Sequence, residues 1–196
     1  NVLGPRAIET FRFADGTVLS YDQLVQRGFD LFGTDGNNFI TGTNVVDRIT
    51  ALAGDDILVG GRGADHLQGG VGHDTYLFNV GDGVDTIDDV VLPGAGNRIR
   101  FGAGISQSDL NFVQDETAQT LTIQVGSSET DRLVLANFDP RGTNGSLVVS
   151  ALEFANGDVV NLVDLYPPYQ APIVAVPVLD QIAAEDSFFI FTVPAT

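Results

Sequence analysis

Cysteine and lysine are absent from this 196-residue chain, and basic residues are few: nine arginines stand against 26 acidic residues. Without cysteine there are no disulfides, no thiolate nucleophile and no thiolate metal site. Without lysine, the many glycines cannot form a phosphate loop of the glycine-lysine type. A net charge of -17 repels nucleic acid and anionic membrane surfaces, so neither is an expected partner. No apolar run approaches the roughly 20 residues of a membrane-spanning helix, and direct membrane insertion is not expected. No HExxH zinc motif and no GxSxG nucleophile elbow occurs, and the chain is not expected to be an enzyme. No signal peptide opens it. It starts at Asn1 amid strand-like sequence and is expected to be a piece of something longer. A hydrophobic fraction of 43% is ordinary for a globular protein. A disulfide-free chain of this size outside the cell would need another staple, and the acidic excess points to a divalent cation.

What the chain has is a repeat. From Gly33 to Leu77 it reads GTDGNNFIT, GTNVVDRIT, ALAGDDILV, GGRGADHLQ, GGVGHDTYL, five blocks of nine without a gap. The sixth position holds Asn38, Asp47, Asp56, Asp65 and Asp74, and the eighth holds Ile40, Ile49, Leu58, Leu67 and Tyr76. A nine-residue period with an oxygen ligand and an apolar residue two apart is a calcium-repeat signature. Three-residue strands centred on the eighth position would send its side chain inward. The first six residues would form a turn whose glycines let carbonyl oxygens converge. Two nonads make one coil of a right-handed solenoid, so equivalent turns recur at every second nonad. Asn38, Asp56 and Asp74 then line one edge; Asp47 and Asp65 line the other, joined by Asp85 if FNVGDGVDTIDD is one more turn with a two-residue insertion. Carboxylates and carbonyls are the hard oxygen ligands that Ca²⁺ takes at six to eight coordination, whereas Mg²⁺ demands a stricter octahedron. Residues 33–89 hold ten Asp, no Glu and two Arg, so without cations the carboxylates repel one another.

The flanks read as strands and turns. Residues 8–19 alternate around Asp15-Gly16, a hairpin signal. Ser20 and Gln23 have capping-box spacing for a short helix to about Gln26, stopped by Gly28. From Asn97 to Leu162 the segments NRIRF, DLNFV, TLTIQV, DRLVLANF, SALEF and DVVNL suggest an antiparallel β domain. A second hairpin at Asn156-Gly157 repeats the first: Phe13-Ala-Asp-Gly-Thr-Val-Leu aligns with Phe154-Ala-Asn-Gly-Asp-Val-Val, and at the same offset Leu24 falls on Leu165. Such self-similarity marks an array. Tyr166-Pro-Pro-Tyr reads as a stiff linker, and Ser187–Val193 as the first strands of a truncated next domain.

GGRGADHLQ and GGVGHDTYL match in full the repeat GGxGxDxUx, U being a large apolar residue, and thereby resemble the RTX (repeats-in-toxin) family of secreted bacterial proteins. The resemblance implies a parallel β-roll with Ca²⁺ between stacked turns. Carried over, it makes Asp56, Asp65 and Asp74 the best side-chain ligands, with Asn38, Asp47 and Asp85 as further candidates. Carbonyls at Gly54, Gly60, Gly61, Gly63, Gly69, Gly70 and Gly72 would join them, for roughly three to four ions. Thr34, Thr43 and Leu52 replace the second glycine, and Val45 the fourth-position glycine, which weakens the first three blocks. Residues from Tyr76 to Leu165 resemble the haemolysin-type calcium-binding related domain, and the ending resembles the start of a cadherin-like or immunoglobulin-like repeat.

The expected class is therefore all-β: a parallel β-roll at 33–89, followed by an antiparallel β domain at 90–165. Residues 1–32 would end a preceding unit and 166–196 would begin a cadherin-like domain. The expected function is a calcium-binding structural module of a large secreted or cell-surface bacterial protein. It would fold on Ca²⁺ after export, by type I secretion, and act as a rigid spacer in an adhesin-like array, with calcium and neighbouring domains as partners. The alternatives are the non-catalytic module of a secreted RTX protease, lipase or epimerase, and a self-processing module cleaving at Asp139-Pro140. His66 and His73 occupy variable repeat positions and read as exposed turn residues, and the pairs Asp55-Asp56 and Asp88-Asp89 as structural or calcium-binding, not as acid/base couples.

Overall fold

The computed structural model describes residues 9–89, 96–127, 130–140 and 146–167. The linker beyond residue 167 and the expected cadherin-like start lie outside the described residues, as do residues 1–8.

The described residues begin with a hairpin, β1 (Thr10–Arg12) and β2 (Val18–Ser20), and a helix, α1 (Tyr21–Arg27). Gly16, at φ 89°, takes the left-handed turn position that a side chain disfavours. Ser20 caps α1 as the sequence predicts: its hydroxyl accepts from the Gln23 N–H at 3.2 Å, and the Gln23 side chain accepts from the Ser20 N–H at 2.8 Å. Gly28, at φ 73°, ends the helix.

The nonads then wind two sheets at once. Their final three positions are extended, giving β4 (Phe39–Thr41), β5 (Asp47–Thr50), β6 (Ile57–Val59), β7 (His66–Gln68) and β8 (Thr75–Phe78). Successive nonads alternate between sheets, so β4, β6 and β8 pair in parallel in one and β5 and β7 in the other. The register is the expected one, each eighth position resting on that of the next nonad but one: Ile40 lies on Leu58, Leu58 on Tyr76, and Ile49 on Leu67. β3 (Phe29–Phe32) precedes β5 in its sheet, so parallel pairing begins ahead of the first nonad. The eighth positions point between the sheets, and Ile49, Leu58, Leu67 and Tyr76 are at most 1% exposed.

The strands after the nonads grow from these same two sheets. β9 (Val84–Ile87) pairs in parallel with β7, and β10 (Arg98–Phe101) in parallel with β8. On the first sheet β13 (Arg132–Ala136) lies parallel to β9, and the antiparallel strands β12 (Thr120–Val125) and β11 (Leu110–Asp115) follow. On the second, β14 (Ala151–Glu153) lies parallel to β10 and antiparallel to β15 (Val159–Asn161), which runs into the short helix α2 (Leu162–Leu165). The result is a seven-stranded sheet in the order β11-β12-β13-β9-β7-β5-β3 and a six-stranded one in the order β15-β14-β10-β8-β6-β4. The fold is all-β, a parallel β-roll continued by antiparallel strands, and one apolar core runs through both parts. Ile87, Ile99, Leu121, Ile123, Leu133, Leu135 and Leu152 extend the line of eighth positions. At its far end Phe101 meets Phe78 edge-on at 6.4 Å and stacks on Phe154 at 5.3 Å.

The two hairpins agree residue for residue. β14, β15 and the start of α2 follow one another at the same spacing as β1, β2 and the start of α1. Arg12 pairs with Val18 as Glu153 pairs with Val159. The Tyr21 N–H reaches the Glu9 carbonyl at 3.0 Å as the Leu162 N–H reaches that of Ser150 at 2.9 Å. Their surroundings differ, because β1 and β2 form a two-stranded sheet by themselves.

Leu67→Ala should cost about 2–5 kcal/mol of unfolding free energy in the presence of calcium, through the buried cavity it leaves. Phe32→Ala, at a side chain 73% exposed, should change it by less than about 0.5 kcal/mol. Urea denaturation followed by circular dichroism measures both.

Candidate metal centre

The position-six side chains close the turns at both edges of the roll. Asp56, Asp65, Asp74 and Asp85 send Oδ1 to the backbone of the coil that precedes them, while Asn38 and Asp47, in the first coil, accept from the N–H of Thr34 and Thr43 in their own turns. On one edge Asp56 Oδ1 accepts from the Asn38 N–H at 2.7 Å, and Asp74 Oδ1 accepts from the Asp56 N–H at 2.9 Å. On the other, Asp65 Oδ1 accepts from the Asp47 N–H at 2.7 Å, and Asp85 Oδ1 accepts from the Asp65 N–H at 3.1 Å. The short Asp side chain reaches one coil down and ties it. A second ladder runs beside the first edge in the opposite sense: Asn37 Oδ1 accepts from Asp55 N–H, Asp55 Oδ1 from His73 N–H, and His73 Nδ1 from Gly96 N–H, each at 2.9 Å. Positions five and six thus bind neighbouring coils reciprocally. His73 and Asp55 are rungs of this ladder, while His66 lies exposed on β7, 3.8 Å from the Asp88 carboxylate.

The second carboxylate oxygens are the unusual atoms. Asp47, Asp56, Asp65 and Asp74 are at most 2% exposed. In each, one oxygen is buried without a hydrogen-bond partner: Oδ1 of Asp47 and Oδ2 of Asp56, Asp65 and Asp74. A buried carboxylate with an unpaired oxygen is costly, so four in register form a donor set that lacks its acid.

The glycines shape this space. A Cβ on Gly60 would come within 2.6 Å of Asp65 Oδ2, and one on Gly69 within 2.4 Å of Asp74 Oδ2. The second- and fourth-position glycines instead admit carbonyls of the coil below. A Cβ on Gly61 would meet the Thr43 oxygen at 2.2 Å, one on Gly63 that of Val45 at 2.7 Å, one on Gly70 that of Leu52 at 2.0 Å, and one on Gly72 that of Gly54 at 1.9 Å. The carbonyls of Thr43, Val45, Leu52 and Gly54 are therefore aimed between coils, and so are those of Gly60 and Gly63, which a Cβ on Gly42 and on Gly83 would meet at 2.2 and 2.1 Å. Two of these already accept an N–H of the next coil: Gly63 that of Val84 at 3.1 Å and Leu52 that of Val71 at 2.9 Å. Where the repeat lacks its second glycine the turn compensates or strains. Thr34 and Thr43 donate their N–H groups back to Asn38 and Asp47. Leu52 adopts φ 83°, a left-handed conformation costly for a branched side chain.

The ladders end in residues that the repeat pattern does not flag. Asn97, fully buried, follows Asp74, accepting its N–H at 2.9 Å. Its amide donates to Asp89 at 2.9 Å, and Asp89 also receives the Tyr76 hydroxyl and, at 3.0 Å, the Gly70 N–H. Tyr76 thus fills an apolar position while its hydroxyl serves the polar end of the roll. Asn97 and Ile99 are two apart, and Ile99 lies on Tyr76, a spacing that carries the position-six, position-eight signal beyond the nonads. On the other edge the slip before Asp85 is a turn of its own, in which the Asp82 carboxylate accepts the Asn79 N–H at 2.7 Å. Asp131 holds that turn through the Gly81 N–H at 2.8 Å.

Burial raises these acids. Asp65 and Asp74 are pushed up to about 6 and Asp85 to about 8, chiefly by desolvation, with the accepted backbone N–H pulling each down and neighbouring aspartates pushing it further up. Asp56 and Asp82 are raised for the same first reason. Among the described residues no three His, Asp or Glu side chains converge, so a cation here would be held by carboxylates from two coils and by turn carbonyls. That donor set, all oxygen, anionic and dry, fits a hard divalent ion of calcium's kind. It offers neither the nitrogen nor the sulfur ligands preferred by zinc or copper.

Stacked parallel coils with buried turn aspartates define a calcium-repeat β-roll. Residues 30–44, 41–76 and 50–87 match the family model for the RTX calcium-binding nonapeptide repeat (4 copies), and the chain carries repeats of that family over 30–87. RTX repeats imply Ca²⁺ binding. Among solved structures, the chain is similar to the AlgE6R3 subunit from the Azotobacter vinelandii mannuronan C5-epimerase, at 23% identity and a TM-score of 0.47, over 85% of this chain and 93% of that one. It is also similar to the AlgE6R2 subunit of that epimerase, at 18% identity and a TM-score of 0.40, over 54% and 83%. No curated protein matches the sequence.

Leu52→Gly should raise stability by about 1 kcal/mol by relieving the left-handed strain, as read from urea unfolding with calcium present. A pH dependence also follows. In metal-free protein the raised carboxyls keep protons that the unfolded chain has released. Their contribution to stability is full below about pH 4 and is lost as pH rises through about 6 for Asp65 and Asp74 and about 8 for Asp85. Calcium needs the ionised forms, so its affinity should rise over the same window. Strand content by circular dichroism with chelator, retained at pH 5 and lost towards pH 8, and calorimetric titrations at pH 5, 6.5 and 8 measure the two opposed trends.

Proposed function

We propose that this chain is a calcium-folded structural module. The observation that carries the reading is the set of four buried carboxylate oxygens without partners, in register on two edges of one roll. Three intervals are flanked by two aspartates each: Asp47 with Asp65, Asp65 with Asp85, and Asp56 with Asp74. These would hold three ions, with carbonyls of Thr43, Val45, Leu52 and Gly54 and of the second- and fourth-position glycines as further ligands. Bound calcium would supply the positive charge that lets these carboxylates stay ionised inside the roll. The chain's own part is to present them: the Oδ1 bond to the preceding coil fixes Asp56, Asp65, Asp74 and Asp85, Thr43 fixes Asp47, and the absent glycine side chains leave room beside them. The interval between Asn38 and Asp56 has a neutral amide on one side and would be the weakest fourth site.

Calcium would then act as a folding switch. In a calcium-poor compartment mutual repulsion of the aspartates opposes the roll, and in a calcium-rich one the ions offset it. Such a module suits a large secreted or cell-surface protein in which rolls serve as stiff spacers. The recurrence of hairpin and helix, first at β1 to α1 and again at β14 to α2, supports the series, since a spacer array is built from recurring units.

Calorimetric titration with Ca²⁺ together with far-ultraviolet circular dichroism tests the proposal. Strand signal should appear on adding calcium to chelator-treated protein, and unchanged strand content in excess chelator would falsify the switch. Asp74→Asn keeps the Oδ1 acceptor for the Asp56 N–H and removes the charge. It should weaken calcium binding at least tenfold at one site, whereas Asp35→Asn, on an exposed turn, should not.

A further inference from the structure

We infer that residues 9–27 are a roll cap, and that its seat is the last parallel strand of another β-roll, acidic where β10 of this chain is basic. The inference rests on the two hairpin-and-helix units being one device in two settings. The second is seated. β14 lies on β10, Leu152 and Leu162 are fully buried, and Phe154 is 5% exposed and stacked on Phe101. Glu153 faces both outward arginines of β10, reaching Arg98 at 2.8 Å and Arg100 at 2.9 Å. The first unit has the same strands, register and turn, but its outer edge along β1 pairs with no strand among the described residues. The corresponding side chains are less covered: Phe13, in the place of Phe154, is 39% exposed, and Tyr21, in the place of Leu162, is 40% exposed.

A strand edge unpaired among the described residues, beside partly exposed aromatics, is a surface that natural sheets cover. The second unit shows what covers it, namely the terminal strand of a roll. Charge then selects which roll. Glu153 corresponds to Arg12, so the first cap carries a cation where the second carries an anion. Seated on β10, Arg12 would meet Arg98 and Arg100, and like charges opposed in a contact reject the wrong partner. β10 is moreover already covered by β14. A second copy of this chain is therefore excluded as the seat. The partner is a roll whose last strand presents Asp or Glu at the two outward positions. This deepens the spacer reading, on which it rests: unit junctions are made by strand addition, and a charge on the cap sets which roll each cap accepts.

Transplantation tests it in the full chain. Residues 150–166 are replaced by residues 9–25, once with Arg12 retained and once with Arg12→Glu, and the calcium-loaded proteins are melted beside the parent and a control with a Gly/Ser block of equal length. The Arg12→Glu chimera should melt within about 5 °C of the parent, and the Arg12 chimera lower by at least about 3 °C. Arg98→Glu with Arg100→Glu should restore the Arg12 chimera. Phe13→Ser should leave the melting of the parent unchanged and lower that of the Arg12→Glu chimera by about 5 °C. A chimera with Arg12→Glu that melts like the Gly/Ser control, two chimeras that melt alike, or concentration-dependent self-association of the parent through β1 overturns the inference. The comparison is made at one calcium concentration against the parent, so failure of calcium binding would show in the parent first.

Discussion

One interaction organises the roll: an aspartate reaching down to the backbone N–H of the coil beneath it. The bond from Asp74 to Asp56, repeated from Asp56 to Asn38, fixes the spacing of coils at the turns, together with the ladder of Asn37, Asp55 and His73 and backbone bonds such as Val71 N–H to the Leu52 carbonyl. It also commits the other carboxylate oxygen to a dry interval between coils, where it needs a cation or a proton. Stability of the backbone and demand for a metal are thus two consequences of the same side chain. The apolar line from Ile49 to Ile99 holds the sheets together, but it cannot satisfy the turns.

Much of this was legible because it is local. A nine-residue period, an apolar eighth position and a capping box are read from neighbours in sequence, and the structure places Leu58, Asp56 and Ser20 where those patterns put them. The hairpins around Gly16 and Gly157 follow from turn chemistry in the same way. The slip before Asp85 was also readable, since the insertion leaves the Gly-x-Asp-x-Ile pattern intact.

The ends of the roll were not legible, and for a physical reason. Asn97, Asp89 and the hydroxyl of Tyr76 form a network whose members stand well apart in the chain, with no period linking them. Nor does alternation along a strand say whether its neighbour runs parallel or antiparallel. Alternation after residue 96 therefore suggests an antiparallel domain, whereas the structure shows β10, β13 and β14 joining the roll's own sheets in parallel, with antiparallel pairing there confined to β11, β12, β13, β14 and β15. The carbonyls aimed at Gly61 and Gly70 were missed because a backbone atom has no residue type to betray it.

The direction of the aspartate ladder has a consequence for how such proteins vary in length. In the position-six ladder each N–H is answered by the coil that follows it, so the first rung, Asn38, reaches to no rung before it and stays partly exposed. The last rung ends in Asn97, sealed under β14 with its amide committed to Asp89. Removing the first coil leaves every remaining position-six N–H answered and, strand-to-strand bonds aside, frees only the Asp55 and Ile57 N–H groups at the more exposed end, which lose Asn37 and the Asn38 carbonyl, while loss of Asn97 at the other end leaves the buried Asp74 N–H unanswered. A roll of this design has one end open to growth by duplication and one end fixed.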